Sequence, residues 1–139
     1  MEIKIYDVLP QSAVDVRTAV FIEEQGFVNE MDETDQTAVH LVMFDGEKPV
    51  AACRVFWSDG RNSYVLGRLA VLKPYRGKML GTEMMKRAEQ YVRDQGGGSI
   101  ALHAQCRVMD FYRKQGFEER GPVEEEEGCP HMWMYKVFK

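Results

Sequence analysis

The residue types that first suggest chemistry lie in a basic, glycine-containing loop between a predicted strand and a predicted helix. The stretch LAVLKPYRGKMLGTEMM, residues 69–85, passes from an apolar strand through Pro74 and a basic turn into a helical pattern. A helix that begins there leaves backbone N–H groups unpaired at its N-terminus, where the helix dipole also favours negative charge. Gly77 and Gly81 allow a ligand to approach the backbone closely. The loop therefore predicts a site for a phosphate or another small anion.

The loop matches neither of two familiar glycine-rich fingerprints. Arg76 and Lys78 add positive charge, but the chain lacks the G-K-[ST] of a P-loop, and the loop lacks the G-x-G-x-x-G of a dinucleotide-binding fold. A tight turn with solvated basic residues is the structural alternative. From the loop alone, both interpretations stay open.

Composition limits the partners that we expect. The chain has 139 residues, an apolar share of 45% and a net charge of −4, which favours one globular domain over residues 1–139 and no nucleic-acid or membrane partner. Its three cysteines lack C-x-x-C spacing, which is typical of thiols in a reducing compartment. No signal peptide or membrane-length apolar run is evident, so we expect a cytoplasmic location.

Hydrophobic periodicity predicts the elements that position the loop. The element order β-α-β-β-β-α-β-α-β describes an α/β (α+β) protein with a mixed sheet and helices on its faces. The acidic run 124–127 is predicted to be a surface loop. The polar stretch 27–37 is predicted to be either a loop or a short helix at the surface. Strands are predicted over residues 2–8, 39–44, 49–57, 64–72, 100–104 and 131–138, and helices over 14–25, 79–95 and 107–115.

Taken with its flanks, the loop resembles a known family. R-G-K-M-L-G after L-A-V-L-K-P-Y is similar to the acetyl-coenzyme A loop of the GNAT superfamily of N-acetyltransferases, [QR]-x-x-G-x-[GA], with Met79 at the position of the middle glycine. F-Y-R-K-Q-G-F at 111–117 resembles a second signature of that family. C-P-H-M-W-M-Y at 129–135 resembles a bacterial subgroup with P-H-x-x-M in its last strand, and V-F-x-x-E-Q at 20–25 fits the same subgroup.

The resemblance implies a GNAT-like, mostly antiparallel sheet and an acyltransferase that uses acetyl-coenzyme A as co-substrate. Backbone groups of the preceding strand would bind the pantetheine arm, and an N–H near Val71 would contact the oxyanion. Arg76 occupies the first position of the motif. The residues implied in pantetheine binding are Leu69, Ala70 and Val71, and those implied in cradling the diphosphate are Gly77, Lys78, Met79, Leu80, Gly81 and Thr82.

The resemblance also assigns an acid, and the residue types offer several bases. Tyr112 matches the tyrosine that similar enzymes place at the coenzyme A sulfur, where a phenol with a pKa near ~10 suits a leaving thiolate. His131 is our first candidate for the base, because histidine titrates near neutral pH. His103, or Glu126 or Glu127 acting through water, stay open as alternatives. His103 and Glu126 are also candidates for contacting the substrate, since a carboxylate there could bind a cationic amine.

The acceptor is expected to be a primary amine of a small molecule, but its charge is not decided. Arg54, Arg68 and Gln105 lie on predicted strands near the cleft and would favour an anionic group. The acidic segment 30–35 would instead favour a cation. A non-catalytic acetyl-coenzyme A sensor and a protein acetyltransferase are the alternative functions, and a homodimer is compatible with the resemblance.

A metal site is not expected. The pairs Cys106 with His103 and Cys129 with His131 match no common zinc spacing. Cys106 as a nucleophile with His103 as its base is a second conceivable mechanism. Direct attack by the amine needs fewer groups, and we favour it.

Overall fold

A computed structural model describes residues 1–28 and 31–138. Glu30, part of the predicted acidic segment, lies outside the described residues. The strands are β1 (Glu2–Tyr6), β2 (Val39–Asp45), β3 (Lys48–Ser58), β4 (Ser63–Val71), β5 (Ser99–Gln105), β6 (Glu118–Glu119), β7 (Glu124–Glu126) and β8 (Cys129–Val137). The α-helices are α1 (Gln11–Arg17), α2 (Leu80–Asp94) and α3 (Met109–Lys114). A π-helical segment (Thr18–Glu24) follows α1, and short 3₁₀ turns cover Glu33–Gln36, Lys73–Tyr75 and Cys106–Val108.

The strands form one sheet in the order β1-β2-β3-β4-β5-β8-β6, with β7 also paired to β8. Only the β4–β5 pair is parallel, and the other described pairs are antiparallel. The predicted fold class, a mixed and mostly antiparallel sheet flanked by helices, is confirmed.

Apolar clusters cover both faces of the sheet. Alternation along β2 sends Leu41 to the face that α2 covers and Val42 to the face that α1 covers. The buried residues of α2 lie at helical spacing: Met84, Met85, Ala88 and Val92. This arrangement holds the N-terminal end of α2 beside the end of β4.

The glycines predicted to end α2 do so through a Schellman motif. Gly96 has a φ of 81°, in the left-handed region. Its N–H donates a hydrogen bond of 2.9 Å to the Arg93 carbonyl, and the Gly97 N–H donates one of 2.9 Å to the Val92 carbonyl. A Cβ on Gly97 would lie 2.5 Å from Val92 and 2.8 Å from Tyr64. Glycine is therefore needed here for both conformation and space.

Two predictions about local structure were wrong. The helix predicted to run to Gln25 is α-helical only to Arg17 and continues as a π-helix, because seven residues of periodicity do not distinguish the two helix types. The acidic run was predicted to be a loop, yet Glu124–Glu126 forms β7. Glu127 and Gly128, both with positive φ, make the two-residue turn that pairs β7 with β8.

No helix in the described ranges is long and apolar enough to cross a membrane.

Candidate active site

A cavity opens where β4 and β5 diverge. The two strands are paired only at Tyr64 with Ile100 and at Val65 with Ala101. Beyond Val65 the register gives β4 no partner on β5, so the backbone groups on that side of residues 66–71 are not used in the ladder. The cavity between the strands has a volume of about 260 Å³. Its walls come from β4, β5, the π segment, α3 and the β7–β8 hairpin.

A bulge in β4 bends the strand at the cavity. Ala52 pairs with Ala70 and Arg54 with Gly67, so two β4 residues, Arg68 and Leu69, lie opposite one β3 residue. Arg68 takes the left-handed conformation, with φ of 54°. The bulge therefore redirects β4 next to the three residues predicted to bind pantetheine.

The predicted diphosphate loop lies at the start of α2. Gly77 has φ of 80°, and Met79, with φ of 62° and ψ of 22°, is also left-handed. No side chain caps α2, so the N–H groups of Leu80, Gly81 and Thr82 stay available to a ligand. Methionine can hold this position because it needs only a tolerated left-handed backbone, at a cost of about 1–2 kcal/mol relative to glycine. Its side chain is 71% exposed.

Gly81 also has a packing role that the sequence did not predict. A Cβ at this position would lie 3.3 Å from the Phe111 ring of α3. The absence of a side chain thus allows α2 and α3 to pack closely. The backbone N–H of Gly81 is the group that could bind a ligand in the loop. Thr82 is linked to α3 in the same way, because its hydroxyl accepts a hydrogen bond from Gln115 at 3.2 Å.

Arg76 braces the loop within the protein. Its guanidinium donates two hydrogen bonds of 2.7 Å to Glu24 of the π segment, and its Nε donates to the Val71 carbonyl at 2.9 Å. The bond from Arg76 lowers the pKa of Glu24. Lys78 lies over the Tyr75 ring, 5.4 Å from its centre. Of these two cations, Lys78 is the one without a carboxylate partner among the described residues.

Tyr112 lines the cavity from α3. Its ring makes edge contacts with Phe111 and Phe117, with ring centres 5.1 and 6.1 Å away. Burial, with a smaller contribution from Cys53, raises the pKa of Tyr112 far above its usual range. The phenol is consequently protonated at neutral pH, and no hydrogen bond within the described residues engages its hydroxyl.

His131 and His103 face the cavity side by side. Their positions follow from the register, in which His103 pairs with Trp133 and Gln105 with His131. The two imidazole centres are 5.0 Å apart, and Trp133 stacks on His103 at 4.8 Å. Glu126 Oε2 lies 3.2 Å from His103 Nδ1 and 3.8 Å from His131 Nε2. Burial lowers the pKa of His103, and the neighbouring His131 acts in the same direction.

The opposite wall carries the arginines predicted to bind substrate. Arg54 donates to Asp32 at 2.6 Å and to Asp35 at 3.0 Å, and Arg17 holds Asp35 through two bonds of 2.8 and 3.1 Å. Arg68 donates to Asp32 at 3.2 Å. These arginines are therefore engaged by protein carboxylates, although Arg54 and Arg68 also line the cavity. The Arg54 Nε is buried without a hydrogen-bond partner, next to Gly67.

Gln105 also lines the cavity, but its amide is engaged. It donates to Gln25 at 2.9 Å and accepts from Arg107 at 2.9 Å. The bond to Gln25 joins the end of β5 to the end of the π segment.

Sequence reasoning missed several residues of the cavity wall. Phe21, Phe27 and Trp133 all line it. Trp133 was open to prediction, because it lies two residues after His131 and so on the same face of β8. The phenylalanines carry no such signal, since they come from the π segment and the loop after it. Within the described ranges, no group of three or more His, Cys, Asp or Glu side chains could hold a metal ion.

The comparisons with known proteins agree with this geometry. A family model described as an acetyltransferase (GNAT) domain matches residues 7–138. The chain is 37% identical over 124 residues, 87% of each chain, to the uncharacterized N-acetyltransferase YjcF of Bacillus subtilis (strain 168). The crystal structure of Escherichia coli ElaA aligns with a TM-score of 0.85 at 27% identity, covering 97% of this chain and 98% of that one.

A second similar structure contains coenzyme A. An aminoglycoside 6'-N-acetyltransferase complexed with coenzyme A aligns with a TM-score of 0.77 and covers 99% of this chain and 97% of that one; at 18% identity it shows a shared fold. The family match and the YjcF identity carry the assignment. The chain belongs to the GNAT family of acetyltransferases and is an acyltransferase enzyme.

Proposed function

We propose that this protein transfers an acetyl group from acetyl-coenzyme A to the primary amine of a small molecule. The observation that carries the proposal is the cavity at the β4–β5 divergence, which Tyr112, His103 and His131 line together with β4. A proton donor, proton acceptors and an unpaired strand edge thus meet in one place. The coenzyme A in the similar aminoglycoside acetyltransferase supports the choice of co-substrate.

The chain offers groups that fit coenzyme A. The uncapped start of α2 would hold the diphosphate through the N–H groups of residues 77–82, with Lys78 adding charge. The β4 edge at Leu69, Ala70 and Val71, which has no β5 partner, would hold the amides of the pantetheine arm. When bound there, acetyl-coenzyme A supplies the acetyl group as an activated thioester.

Tyr112 and His131 divide the proton transfers. His131 Nδ1 is 2.8 Å from the Cys129 carbonyl, which can only accept, so the neutral ring carries its proton on Nδ1 and leaves the Nε2 lone pair available. We assign to Nε2 the proton of the attacking amine, accepted directly or through water. The Tyr112 hydroxyl, protonated and without a hydrogen bond in the described chain, would donate to the departing sulfur. The N–H near Val71 would stabilise the oxyanion.

The shape of the cavity favours a small acceptor over a protein. Glu127 Oε1 accepts a hydrogen bond of 3.1 Å from the Val28 N–H, which joins the hairpin turn to the loop after the π segment. Glu127 and Phe27, the residue before Val28, both line the cavity, so this bond joins two parts of its wall at the side that a peptide would have to pass. A volume of about 260 Å³ suits a compact amine.

The proposal is tested by measuring thiol release from acetyl-coenzyme A across a panel of small amines and lysine peptides. We expect turnover with a small amine and a loss of kcat of roughly 10- to 1000-fold in Tyr112→Phe. That variant keeps the buried ring and removes only the hydroxyl, so coenzyme A affinity, measured by calorimetry, should hold. Binding without turnover of any acceptor would favour the sensor function, and turnover of peptides alone would favour a protein acetyltransferase.

A further inference from the structure

We propose that Glu126 joins His103 and His131 into one proton-accepting unit, in which His131 takes up the proton beside a carboxylate that His103 holds in place. The inference rests on the proposed function for its catalytic meaning. The distances on which it depends are all between atoms of the protein itself. In this unit His131 is the catalytic residue, and Glu126 and His103 are positioning residues that act through it.

The bridge is one carboxylate oxygen. Glu126 Oε2 lies 3.2 Å from His103 Nδ1 and 3.8 Å from His131 Nε2. Both ring nitrogens of His103 lie near a carboxylate oxygen, which can only accept, but only Nε2 is buried without a hydrogen-bond partner among the described residues. We therefore place the proton of the neutral ring on Nδ1, which donates to Glu126. The two rings therefore present different nitrogens to the same oxygen, His103 as a donor and His131 with its lone pair.

The remaining nitrogen of His103 is placed to receive a proton. His103 Nε2 is buried, lies 3.3 Å from Glu124 Oε1 and has no hydrogen bond within the part of the chain that the structure describes. In the neutral ring, this contact brings together Nε2 and a carboxylate oxygen, two atoms that can only accept a hydrogen bond. A proton on Nε2 would turn it into a charge-assisted hydrogen bond, and the stacked Trp133 ring already fixes the plane in which it forms.

The surrounding charges favour uptake of one proton. On the other side of the cavity Arg54 and Arg68 pair with Asp32, and Tyr112 is neutral. Glu127, at the hairpin turn, accepts from a backbone N–H. In the described chain no lysine or arginine pairs with Glu124 or Glu126, so two carboxylates face two neutral imidazoles. Because the rings are only 5.0 Å apart, a second proton would be opposed by like-charge repulsion.

The proton transfer balances without another reactant. An N–H bond of the acceptor ammonium breaks, its electron pair stays on nitrogen for attack, and an Nε2–H bond forms on His131. Glu126 then lies beside the new imidazolium. Its negative charge stabilises the imidazolium, and the His103 Nδ1–H holds that carboxylate in place while the site completes the transfer.

The test combines NMR titration of the imidazoles in the free protein with pH–rate profiles. Glu126→Gln removes the bridging charge from an exposed hairpin, and Glu125→Gln is the matched control, because the exposed Glu125 is the next residue on β7 and contacts neither ring. We expect Glu126→Gln to move the titration midpoints of both rings to lower pH. In the same variant the acidic limb of kcat/KM should move the same way, with a kcat loss of about 10- to 100-fold.

His103→Asn separates the unit from a single histidine. Asparagine can still donate to Glu126 but cannot take up a proton, so the titration of His131 should become one simple step and the acidic limb should shift. If Glu126→Gln leaves the His131 titration unchanged, or if His103→Asn leaves both the titration and the pH–rate profile unchanged, the shared unit is wrong. The NMR readout needs no turnover, so it tests the bridge even if the amine panel disproves the proposed function.

Discussion

The charged groups on the two walls of the cavity are arranged differently. On one wall, the matched wall, Asp32 and Asp35 both have arginine partners, and Arg17, Arg54 and Arg68 hold them through hydrogen bonds of 2.6 to 3.3 Å. On the other wall, the carboxylates of Glu124 and Glu126 face only imidazoles. Carboxylates that are paired with buried arginines stabilise one structure. Carboxylates that face only imidazoles, on what we call the unmatched wall, leave a site that can accept a proton.

The direction of the pKa shifts follows from this arrangement. Burial acts to raise the pKa of Asp35, but hydrogen bonds from Arg17, the Asp32 N–H and Arg54 outweigh it and hold the pKa far below its usual range. For His103, burial lowers the pKa and the carboxylates of Glu126 and Glu124 oppose that shift. Asp35 is thus locked in one charge state, while the charge state of His103 depends on its neighbours.

The largest expected effect breaks the matched wall. Asp35→Asn would remove the carboxylate charge that holds the 1% exposed Arg17 through two hydrogen bonds, and removal of one member of a buried ion pair costs about 3–5 kcal/mol. We expect the free energy of unfolding, measured in urea, to fall by that amount. Asp94→Asn, at a surface hydrogen bond with Gln90, should change it by less than about 0.5 kcal/mol. An equal change in both variants would show that the matched wall does not stabilise the fold.

A pH series of unfolding measurements gives the next effect. The folded pKa values of Asp32 and Asp35 lie below the unfolded values, so the unfolded chain binds protons first as pH falls. Their contribution is complete above about pH 4 and is lost as pH decreases toward the folded values. We expect a steep loss of stability below pH 4 that is reduced in Asp35→Asn. A variant that keeps the full acid dependence would contradict the assignment.

The histidines add a milder slope at higher pH. The pKa values of His40 and His103 are both lowered by burial, so the unfolded chain again takes up protons first, below about pH 6.5. His103→Asn should flatten the part of the stability curve between about pH 6.5 and 5 without changing the part below pH 4. No change in that upper region would place the slope on His40 alone.

The smallest expected effect comes from the unmatched wall. Glu124 is about half exposed, so solvent screens its charge, and Glu124→Gln should alter the free energy of unfolding by less than about 0.5 kcal/mol. The same substitution should still move the NMR titration of His103 to lower pH. A loss of stability as large as that of Asp35→Asn would remove the distinction between the two walls.

Most of the sheet was predictable because its residues alternate strictly between two apolar clusters. Leu41 and Val42 show this within one strand. The start of α2 was equally predictable, since Pro74, a basic turn, and the glycines at positions 77 and 81 indicate a helix N-terminus. The π segment was not predictable, because it depends on backbone hydrogen bonds that hydrophobic periodicity does not encode. The strand β7 was not predictable either, because it forms only by pairing with β8.

The candidate site divides in the same way. The sequence pointed to Tyr112 and His131 by type and resemblance, and the structure brings both to one cavity. It did not indicate that Arg54 is held by two aspartates, nor that Gly81 makes room for Phe111, nor that Glu126 lies between two histidines. Each of these depends on contacts between residues distant in the chain.

The sequence by itself indicated the family of this chain, most segments of the sheet and where the helix after the basic loop begins, because those properties depend on residue types and spacings within a few turns of chain. Only the tertiary structure decided which charges are neutralised and which remain unmatched in the cavity. Coulomb interactions and burial depend on distances of a few ångströms across the sheet, and those distances are fixed by strand register and packing.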